Sequence, residues 1–466
     1  MRARSDGGGP EGRRVEAFAA GGVTRRGAMA GGAALLAAGL GACAARPEPR
    51  ARPAAAPPPE GPLARLLDGG GPVLVAGEPL DAEALRRFYA RRGFTPVWAG
   101  RERLEERMVG LVLQAGEHGL DPEMFRAMLL RRKETFPALR REVLVTEALL
   151  SYAGVLAHGA VPPLRRKEFE ALAPEPIDVV EAVGAALASA DPAAAIEALA
   201  PATPTYRALR QAMREPLRGA APRGRARAAE ERRRMLEVNL ERERWLPRSL
   251  PADRVWVNIP DQQLVLFQEG EPELMSRVVV GQATPQHQSP EFDALIEASF
   301  FNPPWVIPRD IVEAEILPRL EREPDFLERN NMVLRANGEV EQLPGPEAGL
   351  GRVLFDMPNR FDVYLHDTPH RYIFRRGDRR MSRGCIRVEK PRELAALLMK
   401  QPLEAIEEKI AAGTTTRSTL PEPVPVFVTY QTAFLDTEGR LQFRDDFYDR
   451  DEDLHRRLRA RAHPQA

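Results

Sequence analysis

The sequence predicts a multidomain α+β protein in which an all-α unit precedes a mainly β unit with short helices. Residues 75–215 carry apolar side chains at helical spacing, and from Asp253 onward the apolar pattern changes to that of short strands. The 466 residues, 43% of them hydrophobic, suffice for two or three domains with cores of their own. The expected segments are a linker (44–74), the helical unit (75–215), a linker with a charged helix (216–252), the β unit (253–435) and a charged surface tail (436–466).

The all-α unit is predicted from capped amphipathic segments. In "EPLDAEALRRFYARRGF", Asp81 is the expected N-cap, Leu85, Phe88 and Tyr89 form an apolar stripe, and Gly93 ends the helix. Similar patterns follow to about residue 200, and we interpret their stripes as core. The β unit is predicted from apolar bursts around turns, as in "RVWVNIPDQQLVLFQEGEPELMSRVVVG", and short helices fit residues 309–317 and 391–400.

Charge argues against a nucleic-acid partner. Lys plus Arg and Asp plus Glu both number 67, so the formal net charge is zero. The Arg-rich stretch "ERRRMLEVNLERERW" alternates with Glu, and we interpret it as the solvated face of a helix.

The first 43 residues have the pattern of an export signal. Arg25 and Arg26 precede an apolar run from Ala28 to Leu40, which is too short to span a bilayer and ends in small residues. The paired arginines resemble the twin-arginine class, and "LGAC" resembles a lipobox that would make Cys43 the lipidated first residue. Ordinary cleavage after Ala44 is the alternative. We expect an exported periplasmic protein, held to a membrane through Cys43.

Cys385, in "MSRGCIRVEK", is the residue that most suggests chemistry. The chain has two cysteines and seven histidines and contains no CxxC or HExxH, so we expect no metal and no cofactor. Once residues 1–43 are cleaved or lipidated, Cys385 has no partner for a disulfide within the chain. A lone thiol in an oxidising compartment is a liability unless it is used. A buried, inert cysteine remains the alternative.

A nucleophilic cysteine needs a base and a site for the oxyanion. His366 and His370 precede Cys385, and we expect His366 to be the base because "RFDVYLHD" is typical of a strand that holds it opposite the apolar side chains. Gly384 permits a sharp turn whose amides could face an oxyanion, and Ser382 could fix this loop. Arg387 could hold a carboxylate, with a surface ion pair as the alternative.

These residues resemble a known family. "YLHDTP" followed by "SRGCIRV" is similar to the signature of the L,D-transpeptidase catalytic domain, and more narrowly to the large multidomain murein L,D-transpeptidases of Gram-negative bacteria. The blocks "NLERERWLP", "NPPW", "DMPNRFDVYLHDTP" and "FRDDFYDRD" also match, and "FYARRGFTPVW" with "AGEHGLDP" resembles the scaffold domain of those proteins. The resemblance runs from about residue 75 to the end and implies a β-sandwich-like catalytic domain.

The resemblance implies a cysteine acyltransferase that acts on peptidoglycan stem peptides. Cys385 would attack the bond before the terminal D-Ala of a tetrapeptide donor, with His366 as base and then acid. The side-chain amine of a diamino acid in a neighbouring stem would resolve the thioester and give a 3→3 crosslink. Carbapenems would acylate Cys385. The remaining implied roles are oxyanion amides and loop residues (Gly384, Cys385, Ser382, Arg383) and substrate-binding residues (Arg387, Tyr364, Trp305), with core packing as the alternative for Trp305.

The sequence departs from that family in one respect. Relatives usually carry a small peptidoglycan-binding module between the two regions, and residues 203–232 are too short and too rich in Arg, Ala and Pro to contain one. Two other functions stay open: an L,D-carboxypeptidase or hydrolase with the same site, and a non-catalytic wall-binding scaffold. The intact set of His366, Gly384, Cys385 and Arg387 argues against the scaffold.

Overall fold

The computed structural model of the chain describes residues 61–68, 71–215 and 223–462. The predicted export signal, Cys43 and most of the predicted linker lie outside these residues. Within them, no helix is long and apolar enough to cross a membrane.

The N-terminal region is helical apart from one small hairpin. Its elements are α1 (Pro62–Asp68), β1 (Leu74–Val75), β2 (Glu78–Pro79), α2 (Ala82–Ala90), α3 (Glu102–Leu113), α4 (Ala127–Leu130), α5 (Ala138–His158), α6 (Val179–Ala188), α7 (Pro192–Glu197), α8 (Pro204–Arg214) and α9 (Arg223–Glu243).

The predicted cap and apolar stripe of α2 are present. The Asp81 carboxylate accepts a hydrogen bond from the Ala84 N–H at 3.0 Å, and Leu85, Phe88 and Tyr89 are buried. These side chains join the apolar side of α5 in one large core.

The C-terminal region contains the strands of the main sheet and further short helices. Its elements are β3 (Arg254–Asn258), β4 (Gln263–Gln268), β5 (Glu271–Gly281), β6 (Phe292–Phe301), β7 (Trp305–Val306), α10 (Arg309–Ile311), α11 (Leu317–Leu320), α12 (Phe326–Arg329), β8 (Met332–Leu334), β9 (Val340–Gln342), β10 (Val353–Asp356), β11 (Leu365–His366), β12 (Arg380–Ser382), β13 (Ile386–Val388), α13 (Pro391–Met399), α14 (Leu403–Ala411), β14 (Thr416–Thr429), β15 (Ala433–Leu435), β16 (Leu441–Phe443) and α15 (Arg450–Ala462).

Nine strands form one sheet in the order β12-β5-β13-β11-β10-β6-β14-β3-β4. Strand β4 also pairs with β5, so the strand order closes on itself. The enclosed core is built from alternate residues of the strands, such as Val255, Val257, Leu264 and Leu266, together with α13 and α14. The mainly β catalytic domain with short helices that the sequence predicted is confirmed, and its sheet closes through the pairing of β4 with β5.

An insert between β6 and β10, residues 303–350, has a small core of its own. Ile307, Ile316, Phe326 and Val340 are buried together, and β7, β8 and β9 form a three-stranded sheet beside them. We call this segment the insert below.

The structure corrects three sequence predictions about which segments are buried. The stretch "ERRRMLEVNLERERW" is not a solvated face, because its second half packs in the core and Glu241 is fully buried. The C-terminal tail is not a surface segment either, since α15 buries Leu454 and Leu458 against the helical region. The end of the predicted linker forms α1, whose Leu63 and Leu67 join the same core. In α9 and α15, the buried apolar residues are interspersed with many charged ones, so the local sequence pattern does not reveal their burial.

Candidate active site

His366 lies in β11, and Cys385 immediately precedes the neighbouring strand β13, at the outer face of the closed sheet. Strand β11 runs parallel to β13, and in its register His366 is paired with Arg387. Ile386 and Val388 point into the core, so Cys385 and Arg387, which alternate with them, face outward. By the same alternation, His366 shares this outer face with Tyr364 because Leu365 is in the core. The pairing of β11 with β13 thus brings four predicted residues to one face: Tyr364, His366, Cys385 and Arg387.

The Cys385 thiol is half-buried and is a free cysteine. Its Sγ lies 3.8 Å from the carbonyl oxygen of Asp362, a weak contact for a thiol donor. Burial raises the pKa of the Cys385 thiol, and the Tyr364 backbone N–H and the Arg387 charge offset only part of this rise. The resting residue is therefore a neutral thiol at pH 7.

His366 is buried and has its imidazole oriented by the backbone. Its Nδ1 lies 2.6 Å from the carbonyl oxygen of Asp367, and because a carbonyl only accepts, Nδ1 carries the proton and Nε2 is left with a lone pair. Burial, followed by the Arg387 charge, lowers the pKa of His366 to about 4. The ring is a neutral base at pH 7.

The sequence predicted that "RFDVYLHD" forms a strand that holds His366, but the structure has a much shorter strand there. Strand β11 has only two residues, and Asp362 just before it has a φ of 51°, which breaks the extended run. His370 lies in the loop after β11 and is exposed, with its ring 6.0 Å from that of Tyr372.

The loop before Cys385 is a sharp turn centred on Gly384. Gly384 has a φ of 114°, which a residue with a Cβ rarely adopts, and its N–H donates to Ser382 Oγ at 3.2 Å. The resemblance implied that the amides of both Gly384 and Cys385 face an oxyanion, but that of Gly384 is already engaged. Among the described residues, the Cys385 N–H donates no hydrogen bond, so it alone of the two is free for that role.

Arg383 joins the loop to the insert. Its guanidinium lies 3.0 Å from the Asp310 carboxylate and 2.6 Å from that of Glu315. The loop and the insert are thus connected by two exposed ion pairs.

Arg387 is half-buried and has no carboxylate partner within the part of the chain that the structure describes. Its buried Nε lacks a hydrogen-bond partner there as well. The alternative of a surface ion pair is therefore wrong for the described residues, and the guanidinium remains available to an anion.

The other predicted substrate-binding residues differ in position. Tyr364 is half-buried beside the cysteine, and burial raises the pKa of its hydroxyl. Trp305 lies in β7 of the insert, where its ring packs on Gly349 and on the small core. Trp305 therefore supports the insert rather than the face that carries Cys385.

Two residues of the site were not singled out from the sequence. The carbonyl of Asp367 orients His366, and its carboxylate accepts the Arg352 N–H at 2.8 Å and pairs with Arg371 at 3.1 Å. Ser289, 0% exposed, donates from its Oγ to the carbonyl oxygen of Gly384 at 2.7 Å. Asp367 lies within the "HDTP" motif, but only the fold brings Ser289 to the loop.

No group of three or more His, Cys, Asp or Glu side chains in the described ranges could hold a metal ion.

Comparison with known proteins assigns both regions of the chain. Residues 252–426 match the L,D-transpeptidase catalytic domain, and residues 83–213 match a scaffold domain. A curated protein of Haemophilus influenzae, whose name assigns it provisionally to the L,D-transpeptidases, is 31% identical over 239 residues. That match covers 46% of this chain and 48% of the relative, so the chain spans about half the length of the relative.

Two solved structures also match part of the chain. The Ldtfm–avibactam carbamoyl enzyme shares 13% identity with a TM-score of 0.20, covering 39% of this chain and 49% of its own. Mycobacterium tuberculosis L,D-transpeptidase 1 shares 12% identity with a TM-score of 0.18, and the match covers 38% of this chain and 61% of that structure's chain.

Proposed function

We propose that this chain, in which residues 252–426 match the L,D-transpeptidase catalytic domain and residues 83–213 match a scaffold domain, forms 3→3 crosslinks between peptidoglycan stem peptides through a thioester on Cys385. The observation that carries the proposal is the outer face at the β11–β13 pairing, where a free thiol, a neutral imidazole and a guanidinium without a carboxylate partner among the described residues are brought together.

The first half-reaction starts from a neutral pair. The thiol has a raised pKa and the imidazole a lowered one, so proton transfer between them is unfavourable until a substrate carbonyl is in place. As Sγ bonds to the carbonyl carbon of the third residue, Nε2 of His366 takes the thiol proton and the Cys385 N–H donates to the oxyanion. The imidazolium then protonates the leaving D-Ala amine, and the thioester remains.

The second half-reaction reverses these roles. The amine of an acceptor stem attacks the thioester carbonyl, and His366 takes the proton that this amine loses. Collapse of the oxyanion expels the Cys385 thiolate, which recovers its proton from the imidazolium. Arg387, with its guanidinium free of other carboxylates, can bind a carboxylate of either stem.

Incubation of the purified protein with tetrapeptide-rich sacculi, followed by muropeptide analysis, tests the proposal. We expect 3→3 dimers with wild type and none with Cys385→Ala. Tripeptides without dimers would mean that water is the acceptor and that the protein is an L,D-carboxypeptidase. Unchanged muropeptides with folded wild type would favour a non-catalytic wall-binding protein.

We further propose that the protein works in the periplasm, held to a membrane through a lipid on Cys43. The support is the sequence pattern alone: paired arginines, a short apolar run and "LGAC". Fractionation of cells that express Cys43→Ala tests this, because the variant should leave the membrane fraction. Retention of the variant in that fraction would refute lipid anchoring.

A further inference from the structure

Ser289 connects strand β5 to the loop that carries the nucleophile. The residue follows the turn between β5 and β6 and is completely buried. Its Oγ accepts a hydrogen bond from the Gly281 N–H at 2.9 Å and donates one to the carbonyl oxygen of Gly384 at 2.7 Å. The hydroxyl proton is thereby committed to Gly384, because a carbonyl oxygen can only accept a hydrogen bond and the Gly281 N–H can only donate one.

The carbonyl that Ser289 holds belongs to the same peptide unit as the Cys385 N–H. A trans peptide is planar, and its C=O and N–H point in opposite directions. Fixing the Gly384 oxygen on the buried side therefore directs the Cys385 N–H to the opposite side, away from the core. Because Gly384 has no Cβ, it restricts the rotation of the Gly384–Cys385 peptide less than another residue would. The orientation of this peptide therefore has to be fixed by a hydrogen-bond partner.

The C-terminal segment holds Ser289 in place. Tyr448 Oη donates to the Gly281 carbonyl at 2.6 Å and accepts the Ser289 N–H at 3.3 Å. Arg450, whose guanidinium is buried, donates to the Ser289 carbonyl at 2.9 Å and pairs with the buried Glu291 at 3.0 Å. Both partners of the Ser289 backbone thus come from the segment that the sequence suggested was exposed.

The turn has little room to shift. At Gly281 a Cβ would lie 2.0 Å from the His287 carbonyl oxygen and 2.6 Å from the Ser289 nitrogen, so the turn packs directly on the strand. A hydroxyl at position 289 therefore keeps a fixed distance from the Gly384 carbonyl.

We propose that Ser289 is a positioning residue that aims the Cys385 N–H at the oxyanion, and that Tyr448 and Arg450 are the supports that hold Ser289. This role rests on the acyl-transfer function proposed above. It predicts that loss of the hydroxyl slows steps that pass through an oxyanion and leaves other reactions of the thiol unchanged.

The experiment compares Ser289→Ala with Ser299→Ala in the full chain. Ser299 is also 0% exposed and lies in β6, but its Oγ has no hydrogen-bond partner among the described residues, which makes it a matched control. Acylation of Cys385 by a carbapenem should fall roughly 10- to 100-fold in Ser289→Ala, since losing one oxyanion donor outright costs about 10²- to 10³-fold. Ser299→Ala should match wild type, and Tyr448→Phe should lie between the two.

Alkylation of Cys385 by iodoacetamide separates positioning from general damage, because this displacement forms no oxyanion. Its rate and pH profile should be the same in wild type and Ser289→Ala. The proposal would be overturned if the Ser289→Ala variant were acylated at the wild-type rate. It would also be overturned if the rates of alkylation and acylation fell equally in this variant.

A second readout does not depend on activity. Labelling the full chain with 15N-cysteine gives amide signals from Cys43 and Cys385 alone, and Cys385→Ala assigns the second. A nitrogen shift reports the hydrogen bond on the carbonyl of its own peptide unit, so the Cys385 signal should move in Ser289→Ala and stay in Ser299→Ala. An unmoved signal would refute the proposal, even if wild type is never acylated and the proposed function fails.

Discussion

The helical region and the closed sheet each bury a histidine, and the two have the same shifted pKa. Burial is the main cause for both His118 and His366, and it lowers each pKa to about 4. His118 Nδ1 lies 2.7 Å from Tyr206 Oη, and its Nε2 lies 3.7 Å from Glu197. His366 instead has a backbone carbonyl at Nδ1 and shares its face of the sheet with a thiol.

The difference between them is in the neighbours. His118 packs against the rings of Tyr152 and Tyr206 and completes a polar cluster inside the helical core. His366 lies beside Arg387, near the surface that carries Cys385. A lowered pKa therefore identifies a buried imidazole, whereas a nucleophile on the same face identifies a base.

The largest effect on acylation should come from removing the Cys385 thiol, since His118 has no such neighbour among the described residues. Cys385→Ala removes the nucleophile, so carbapenem acylation should be lost completely while the fold is kept. Intact-protein mass spectrometry checks this, with one drug mass on wild type and none on the variant. An adduct on Cys385→Ala would show that another group reacts.

Replacing each of the two histidines separately with glutamine tests the comparison between them. His366→Gln should slow acylation by about 10²- to 10⁴-fold, the usual cost of losing a general base. His118→Gln should leave acylation within a few-fold of wild type and lower the free energy of unfolding by about 1–3 kcal/mol, because the buried Tyr206 hydroxyl keeps its bond from Arg244 but loses the His118 nitrogen that accepts its proton. Acylation rates and denaturant unfolding measure both.

Exposed His370 provides a second control within the catalytic region. His370→Ala should acylate within a few-fold of wild type because the residue lies in an exposed loop. Slower acylation in His370→Ala than in His366→Gln would contradict the assignment of the base.

The pH dependence of acylation sharpens the role of His366. With a pKa of about 4 the imidazole is unprotonated above that pH, so the acid limb of the rate profile should lie near pH 4. An unshifted histidine, with a pKa near 6.5, would leave about 3% of the base at pH 5, a rate about 30-fold lower than expected here. Acylation rates between pH 4 and 7 distinguish the two.

The smallest effect should come from the connection between the loop and the insert. Arg383→Gln removes the ion pairs to Asp310 and Glu315, and exposed pairs are worth about 0–1 kcal/mol each. We expect a change of a few-fold at most in the acylation rate. Arg309→Gln, which breaks an exposed pair within the insert, is the control. A loss as large as that of His366→Gln would make Arg383 part of the site.

The sequence selected candidate residues that the structure brings to one face, but it missed the packing around them. Cys385, Gly384 and His366 could be selected from the sequence because the chemical role expected of each restricts the residue type. The burial of α9 and α15 was missed because Arg242 and Asp451, 209 residues apart, form a buried ion pair that a local pattern of charges cannot reveal. Ser289 was missed for the same reason, since its hydroxyl acts on a loop 95 residues away.

Trapping of the acyl-enzyme with a tetrapeptide donor tests the central claim most directly. Wild-type protein should gain the mass of the tripeptide acyl group with release of D-Ala, and peptide mapping should place that mass on Cys385. The same mass on another residue, or release of D-Ala by Cys385→Ala, would contradict the account.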